Sequence, residues 1–154
     1  MRTFKFIFLF ISLITCVNAL AQNDAKSEAV KSMVESKRFV FMAKSATPVK
    51  SGIKQLTSDY TLKVTPDTII SNLPYFGEVT QPLASPSDGG IKFTPPDFDY
   101  KIENRKKGGW EISMLVKDVR YGPRIGITIF ENGAASVQVN SNDRQPISYD
   151  GEIK

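Results

Sequence analysis

The sequence has 154 residues, 41% of them hydrophobic and 23% charged, with a formal charge of +4, which is ordinary globular composition. It contains no histidine and a single cysteine, Cys16. Ser-His-Asp and Cys-His nucleophile systems, internal disulfides and the usual zinc sites are therefore excluded.

Residues 1–21 predict a secretory signal. Met1-Arg2-Thr3-Phe4-Lys5 is a short basic start, Phe6 to Val17 is an apolar run, and Ala19-Leu20-Ala21 fits a small-x-small cleavage site. The run is shorter than the roughly 20 residues a membrane span needs, so no transmembrane span is expected in the mature form. A lipoprotein signal ending at Cys16 would want Gly, Ala or Ser before the cysteine, and Thr15 fits poorly. Cleavage between Ala21 and Gln22 is expected to leave one domain over 22–154, periplasmic or secreted. That product has no cysteine, and its charge falls to +2 with the loss of Arg2 and Lys5. Its stability must then come from a packed core, which a chain of this size can build.

Gln22 to Lys37 predicts one helix, with Asp24 as N-cap and Ala25, Ala29 and Met33 joined by Val30 and Val34 in an apolar stripe. From Arg38 the period changes to two, and Phe39-Val40-Phe41-Met42-Ala43 is apolar on both faces, as in a strand lying beneath a helix. Thr47 to Gln55 reads as a loop around Pro48 and Gly52. Tyr60, Leu62 and Val64 alternate with polar residues, Thr65-Pro66-Asp67-Thr68 is a turn, and Ile69-Ile70 opens another strand. Five of the nine prolines fall between Leu73 and Pro96, which predicts a long irregular excursion with one short strand at Ile91-Lys92-Phe93.

The remainder predicts a meander. Phe98, Tyr100 and Ile102 alternate with Asp97, Asp99, Lys101 and Glu103. A basic tip, Arg105 to Gly109, precedes Trp110, Ile112, Met114 and Val116, which are expected in the core. For the next hairpin, a two-residue Asn132-Gly133 loop would set apolar side chains opposite polar ones. A three-residue loop, Glu131-Asn132-Gly133, with Gly133 left-handed, instead pairs Ile129 with Ala135, Ile127 with Val137 and Ile125 with Val139. Gln145 to Ile153 is expected to add a final edge strand. The fold class predicted is α+β, an N-terminal helix packed on a mostly antiparallel meander sheet, curved or closed into a partly open barrel.

Three groups of residues invite a chemical reading. Asp97, Asp99 and Glu103 could be imagined as a carboxylate site, but alternation with Lys101 between them describes a solvated, self-neutralising face. The tip Arg105-Lys106-Lys107 is too small a basic patch for nucleic acid, which needs many phosphate contacts. Leu73-Pro74-Tyr75-Phe76-Gly77 puts two aromatics beside a proline and a glycine. It is read either as a plug for one end of the sheet or as an aromatic platform for an apolar or carbohydrate ligand, with Phe93 and Tyr100 as its neighbours. Tyr75, Phe76, Phe93 and Tyr100 are thus the candidate ligand-binding residues. No catalytic residue, metal site or cofactor is predicted.

The chain also resembles a known group of proteins. Leu73-Pro74-Tyr75-Phe76-Gly77, Gly89-Gly90-Ile91-Lys92-Phe93, Gly109-Trp110-Glu111-Ile112, Asn132-Gly133-Ala134-Ala135 and Asn142-Asp143-Arg144-Gln145-Pro146-Ile147-Ser148-Tyr149-Asp150-Gly151 follow one another in order. Together they resemble a family of small exported proteins of Bacteroidetes-type bacteria, a domain of unknown function. The resemblance spans essentially the whole of 22–154. It implies a bacterial envelope protein with a helix and an antiparallel sheet, and it assigns no catalytic residues.

The expected function is a non-enzymatic binding or interaction module whose partner is an envelope ligand or protein. The alternatives are an assembly factor pairing through the Gln145–Ile153 edge and, last, a hydrolase built on carboxylates or a Ser-Lys pair.

Overall fold

A computed structural model describes residues 24–81, 89–95, 97–117 and 122–154. The signal segment and its cleavage point lie outside the described residues, as do Pro82, Pro86 and Pro96 of the proline-rich excursion.

Among the described residues, nine strands follow one helix. They are β1 (Phe39–Pro48), β2 (Lys54–Val64), β3 (Ile69–Leu73), β4 (Ile91–Phe93), β5 (Phe98–Asn104), β6 (Trp110–Val116), β7 (Arg124–Ile129), β8 (Ala134–Ser141) and β9 (Arg144–Ile153). All pair antiparallel in one sheet of order β4-β3-β2-β1-β9-β8-β7-β6-β5. β3, β6, β7 and most of β8 alternate a buried with a less buried residue, the pattern of a sheet with one dry face; β6 is the cleanest case.

Chain connectivity forces this sheet to curl. Its outermost strands, β4 and β5, are joined by residues 94–97 alone. Nine strands laid flat would hold their edges about 38 Å apart at the usual spacing. The link from Phe93 to Phe98 reaches at most about 18 Å. With every neighbour antiparallel, β4 and β5 also run in the same direction. They behave as one interrupted strand, pairing with β3 before the interruption and with β6 after it. Pro95 at the break cannot donate to a ladder, and its carbonyl accepts from Thr68 Oγ1 at 3.3 Å.

The α+β expectation is corrected here. The described residues are mostly sheet (57%) with one short helix, a nine-stranded antiparallel half-barrel and not a helix-backed sheet. Among the described residues, every member of the buried hydrophobic core except Val30 and Val34 lies on a strand. Ala25 and Ala29, read as part of the helical stripe, are exposed. The helix, α1 (24–35), ends in a Schellman turn, with Arg38 N–H bonding Met33 C=O, Lys37 N–H bonding Val34 C=O, and Lys37 left-handed at φ 54°. It therefore closes one margin of a core that the curled sheet makes with itself.

The β7–β8 hairpin has the three-residue loop: Ile129 faces Ala135, Ile127 faces Val137 and Ile125 faces Val139, with Gly133 at φ 81°. Trp110, Ile112, Ile127 and Val137 are buried. Two boundaries differ from expectation. β1 runs on through Pro48, leaving only 49–53 as a loop. β9 is central, bonded to β1 on one side and β8 on the other, so the Gln145–Ile153 segment is no edge. Gly151 marks its join to β1, where a Cβ would collide with the Met42 carbonyl oxygen.

Candidate functional site

The most elaborate local structure holds residues 74–81 against the β8–β9 turn. Leu73 ends β3 fully buried, and the next carbonyl, of Pro74, accepts from Tyr149 Oη at 2.6 Å. Tyr149 has no exposed surface, and burial pushes its hydroxyl pKa well up, so it remains a donor at any physiological pH. The Tyr75 hydroxyl shares its proton between the carbonyls of Glu78, at 2.9 Å, and Gln145, at 3.0 Å. Gly77 is required for this turn, since a Cβ there would strike the Tyr75 hydroxyl. Gln145 N–H then bonds Glu78 C=O, while the Thr80 and Gln81 amides both reach the Asp143 carbonyl.

Beneath this segment lies a buried ion pair. Arg144 Nε and Nη2 donate to Asp143 Oδ2 at 3.0 and 2.8 Å, and the Ser141 hydroxyl bonds the other carboxylate oxygen. Arg144 Nη1 bonds Gly90 C=O at 3.1 Å, and its guanidinium lies 5.0 Å from the Tyr75 ring centroid. Burial alone would raise the Asp143 pKa. The bonds from Arg144 and Ser141 outweigh it and hold the carboxyl below its ordinary value. The pair therefore works as a clasp, tying both ends of the proline-rich excursion to the turn at 142–143. With its oxygens occupied by Arg144 and Ser141, Asp143 is no free catalytic carboxylate.

The four aromatics predicted as a site differ in role. Tyr75 is the latch just described. Phe76 is 39% exposed, with Lys54 Nζ 5.6 Å from its ring centroid. Phe93 and Tyr100 are half-buried on the two edge strands β4 and β5. Tyr100 has Lys37 Nζ 4.7 Å above its ring, and its buried hydroxyl finds no partner among the described residues, so burial pushes its pKa to about 12. Two grooves among the described residues are lined by Tyr100, and neither includes Tyr75, Phe76 or Phe93.

The family is decided by sequence. The model of the DUF4251 family, a domain of unknown function, matches residues 21–153. The chain belongs to the DUF4251 family. The fold recurs in the crystal structure of a DUF4251 family protein from Bacteroides eggerthii DSM 20697, at 15% identity and a TM-score of 0.61, over 84% of this chain and 87% of that one. No curated protein matches it.

In this DUF4251 chain, sequence reasoning missed one element of the rim. Val49 and Ile53, in the β1–β2 loop, are 64% and 67% exposed, and Val79 is exposed beside the clasp. Lys50 Nζ bonds Glu78 Oε2 at 2.8 Å, and with Lys54 over Phe76 it joins this loop to residues 74–80. Among the described residues, half of the exposed large apolar side chains thus belong to two loops held side by side. Two isolated apolar residues in a polar loop carry no periodicity, and only their flanking of Lys50 could have drawn notice.

The acidic stretch is neutralised much as expected, though by a different lysine: Lys117 Nζ lies 2.7 Å from Asp99 and 3.7 Å from Asp97, while Lys101 pairs with Glu103. Among the described residues no three acidic, His or Cys side chains gather as a metal site, and no helix is long and apolar enough to cross a membrane.

Proposed function

We propose that this chain is a non-enzymatic binding module of the bacterial envelope, exported by its leader and released after Ala21. Its ligand surface is the apolar rim formed by Val49 and Ile53 with Phe76 and Val79. The juxtaposition of these exposed side chains on two cross-linked loops carries the reading, since soluble surfaces seldom gather large apolar residues without a partner to cover them. Lys50 and Lys54 border the patch, so the ligand it suits is apolar with anionic groups at its margin. The chemistry of the sequence supports the same reading, since the chain has no histidine and its only cysteine lies in the leader.

The test compares the wild-type protein with Ile53→Ser/Phe76→Ser for retention of detergent-solubilised native envelope components. Both substitutions fall on exposed side chains, so melting temperature should not move. Loss of a specifically retained component in the variant is the expected outcome, and identical retention by both proteins refutes the assignment.

A further inference from the structure

A different surface, the free edge of β5, carries an inference beyond this reading. The hydrogen-bond phase of β5 follows from its closing pairs. Arg105 N–H bonds Gly109 C=O and Lys117 N–H bonds Asp97 C=O, so the odd-numbered residues 97 to 105 direct their backbone groups to β6. Phe98, Tyr100, Ile102 and Asn104 direct theirs outward, where no strand pairs with them among the described residues. Residues 101–104 are exposed throughout, and Ile102, which alternation assigns to the dry face, is 39% exposed.

We propose that this edge pairs with the β5 edge of a second copy of the chain, antiparallel about a two-fold axis through Ile102. The order of charges selects both the occupant and the register. With Ile102 opposite its own counterpart, Lys101 faces the second copy's Glu103, and Asp99 faces its Arg105, each twice by symmetry. A register one residue back places Lys101 against Lys101 and Asp99 against Glu103. One residue forward places Glu103 against Glu103 and Lys101 against Arg105. Both set like charges directly opposite. In the chosen register, outward-bonding residues also meet outward-bonding residues, Tyr100 opposite Asn104 and Ile102 opposite Ile102, so the ladder hydrogen bonds close.

The ends of the strand agree with this arrangement. The basic tip 105–107 of one copy comes over the start of β5 in the other, where Asp67, Asp97 and Asp99 line a groove of about 480 Å³ with Lys37, Pro66, Phe98 and Tyr100. Lys117 and Lys37 offset part of that acidity, and the tip supplies the remaining cations. The charged residues of β5, which would repel a strand of arbitrary sequence, are thus complementary to their own. An edge of seven residues makes a small interface, so dissociation in about the micromolar to hundred-micromolar range is expected.

Sedimentation equilibrium of the purified chain, from low to high micromolar concentration, tests the proposal. The wild type should approach twice the monomer mass. Lys101→Glu alone and Glu103→Lys alone should each hold the chain at monomer mass with an unchanged melting temperature. Their equimolar mixture should recover the doubled mass, because mixed pairs set only opposite charges across the seam, which an intrachain role for these residues cannot produce. Ile102→Pro removes an outward donor and spares the bonds to β6; it should be monomeric as well. A wild type that stays monomeric to about 1 mM, a dimer indifferent to all three substitutions, or a mixture that stays monomeric overturns the proposal.

Discussion

Replacing Asp143 by Ala should be among the most damaging single changes to this protein outside the apolar core. Asp143 is 6% exposed, and the Arg144 side chain only 12%. Removing the carboxylate leaves a buried guanidinium without its counter-ion, which typically costs about 3–5 kcal/mol. Arg144 keeps its bond to Gly90 and its place over Tyr75, so the lower part of that range, about 3 kcal/mol, is expected. Urea denaturation at neutral pH measures it. Adding Arg144→Met to the variant should recover part of the loss, because the stranded charge goes with it. Acid gives a second reading. The folded carboxyl is more acidic than the ordinary value of about 3.9, so its contribution is fully present well above that pH and is lost as pH falls through the folded value. Asp143→Ala should therefore flatten the acid limb of the stability profile. A cost below about 1 kcal/mol, or a double variant as weak as the two single losses added, would refute the clasp.

Ile127→Ala should cost about 2–5 kcal/mol in urea, and Thr128→Ala, on the other face of β7, less than about 0.5. Equal costs would show that both faces of the sheet are covered. Tyr75→Ala should lose about 2–4 kcal/mol, while Phe76→Ala should barely move the unfolding midpoint, since one ring is latched and the other half in solvent. Tyr100→Phe removes a buried hydroxyl that finds no partner among the described residues and should leave stability unchanged or raised by up to about 1 kcal/mol; in the wild type, ultraviolet titration should find that phenol ionising near 12. Gly151→Ala should cost about 1–3 kcal/mol in the same denaturation assay by forcing β9 off the Met42 carbonyl.

What could be read in advance was local. The β7–β8 register followed from matching alternation across a short loop, because a slip of one residue turns every isoleucine to the wrong face. The short strand at 91–93 stood out against its prolines and glycines. What escaped was non-local. Nothing in the pattern of β9 says that it pairs with β1, and Pro146 and Gly151 give it the look of an edge strand. The passage from β4 to β5 across the open seam has no sequence signature beyond its prolines. Without it, the dry face of the sheet called for a covering layer, and the helix was the only candidate. The aromatic motif at 73–77 was visible as a unit, but its division into latch and exposed ring depends on Gln145, Arg144 and Lys54, which only folding brings near.

The most direct measurement for the binding surface is photo-crosslinking in the native cell, with a photoreactive phenylalanine at position 76 and, as control, at position 128 on the outer face of β7. A discrete adduct at 76 that is absent at 128 and disappears when Ile53→Ser is added is the expected result. Identical patterns at the two positions, or an adduct indifferent to Ile53→Ser, would contradict the placement of binding on this rim.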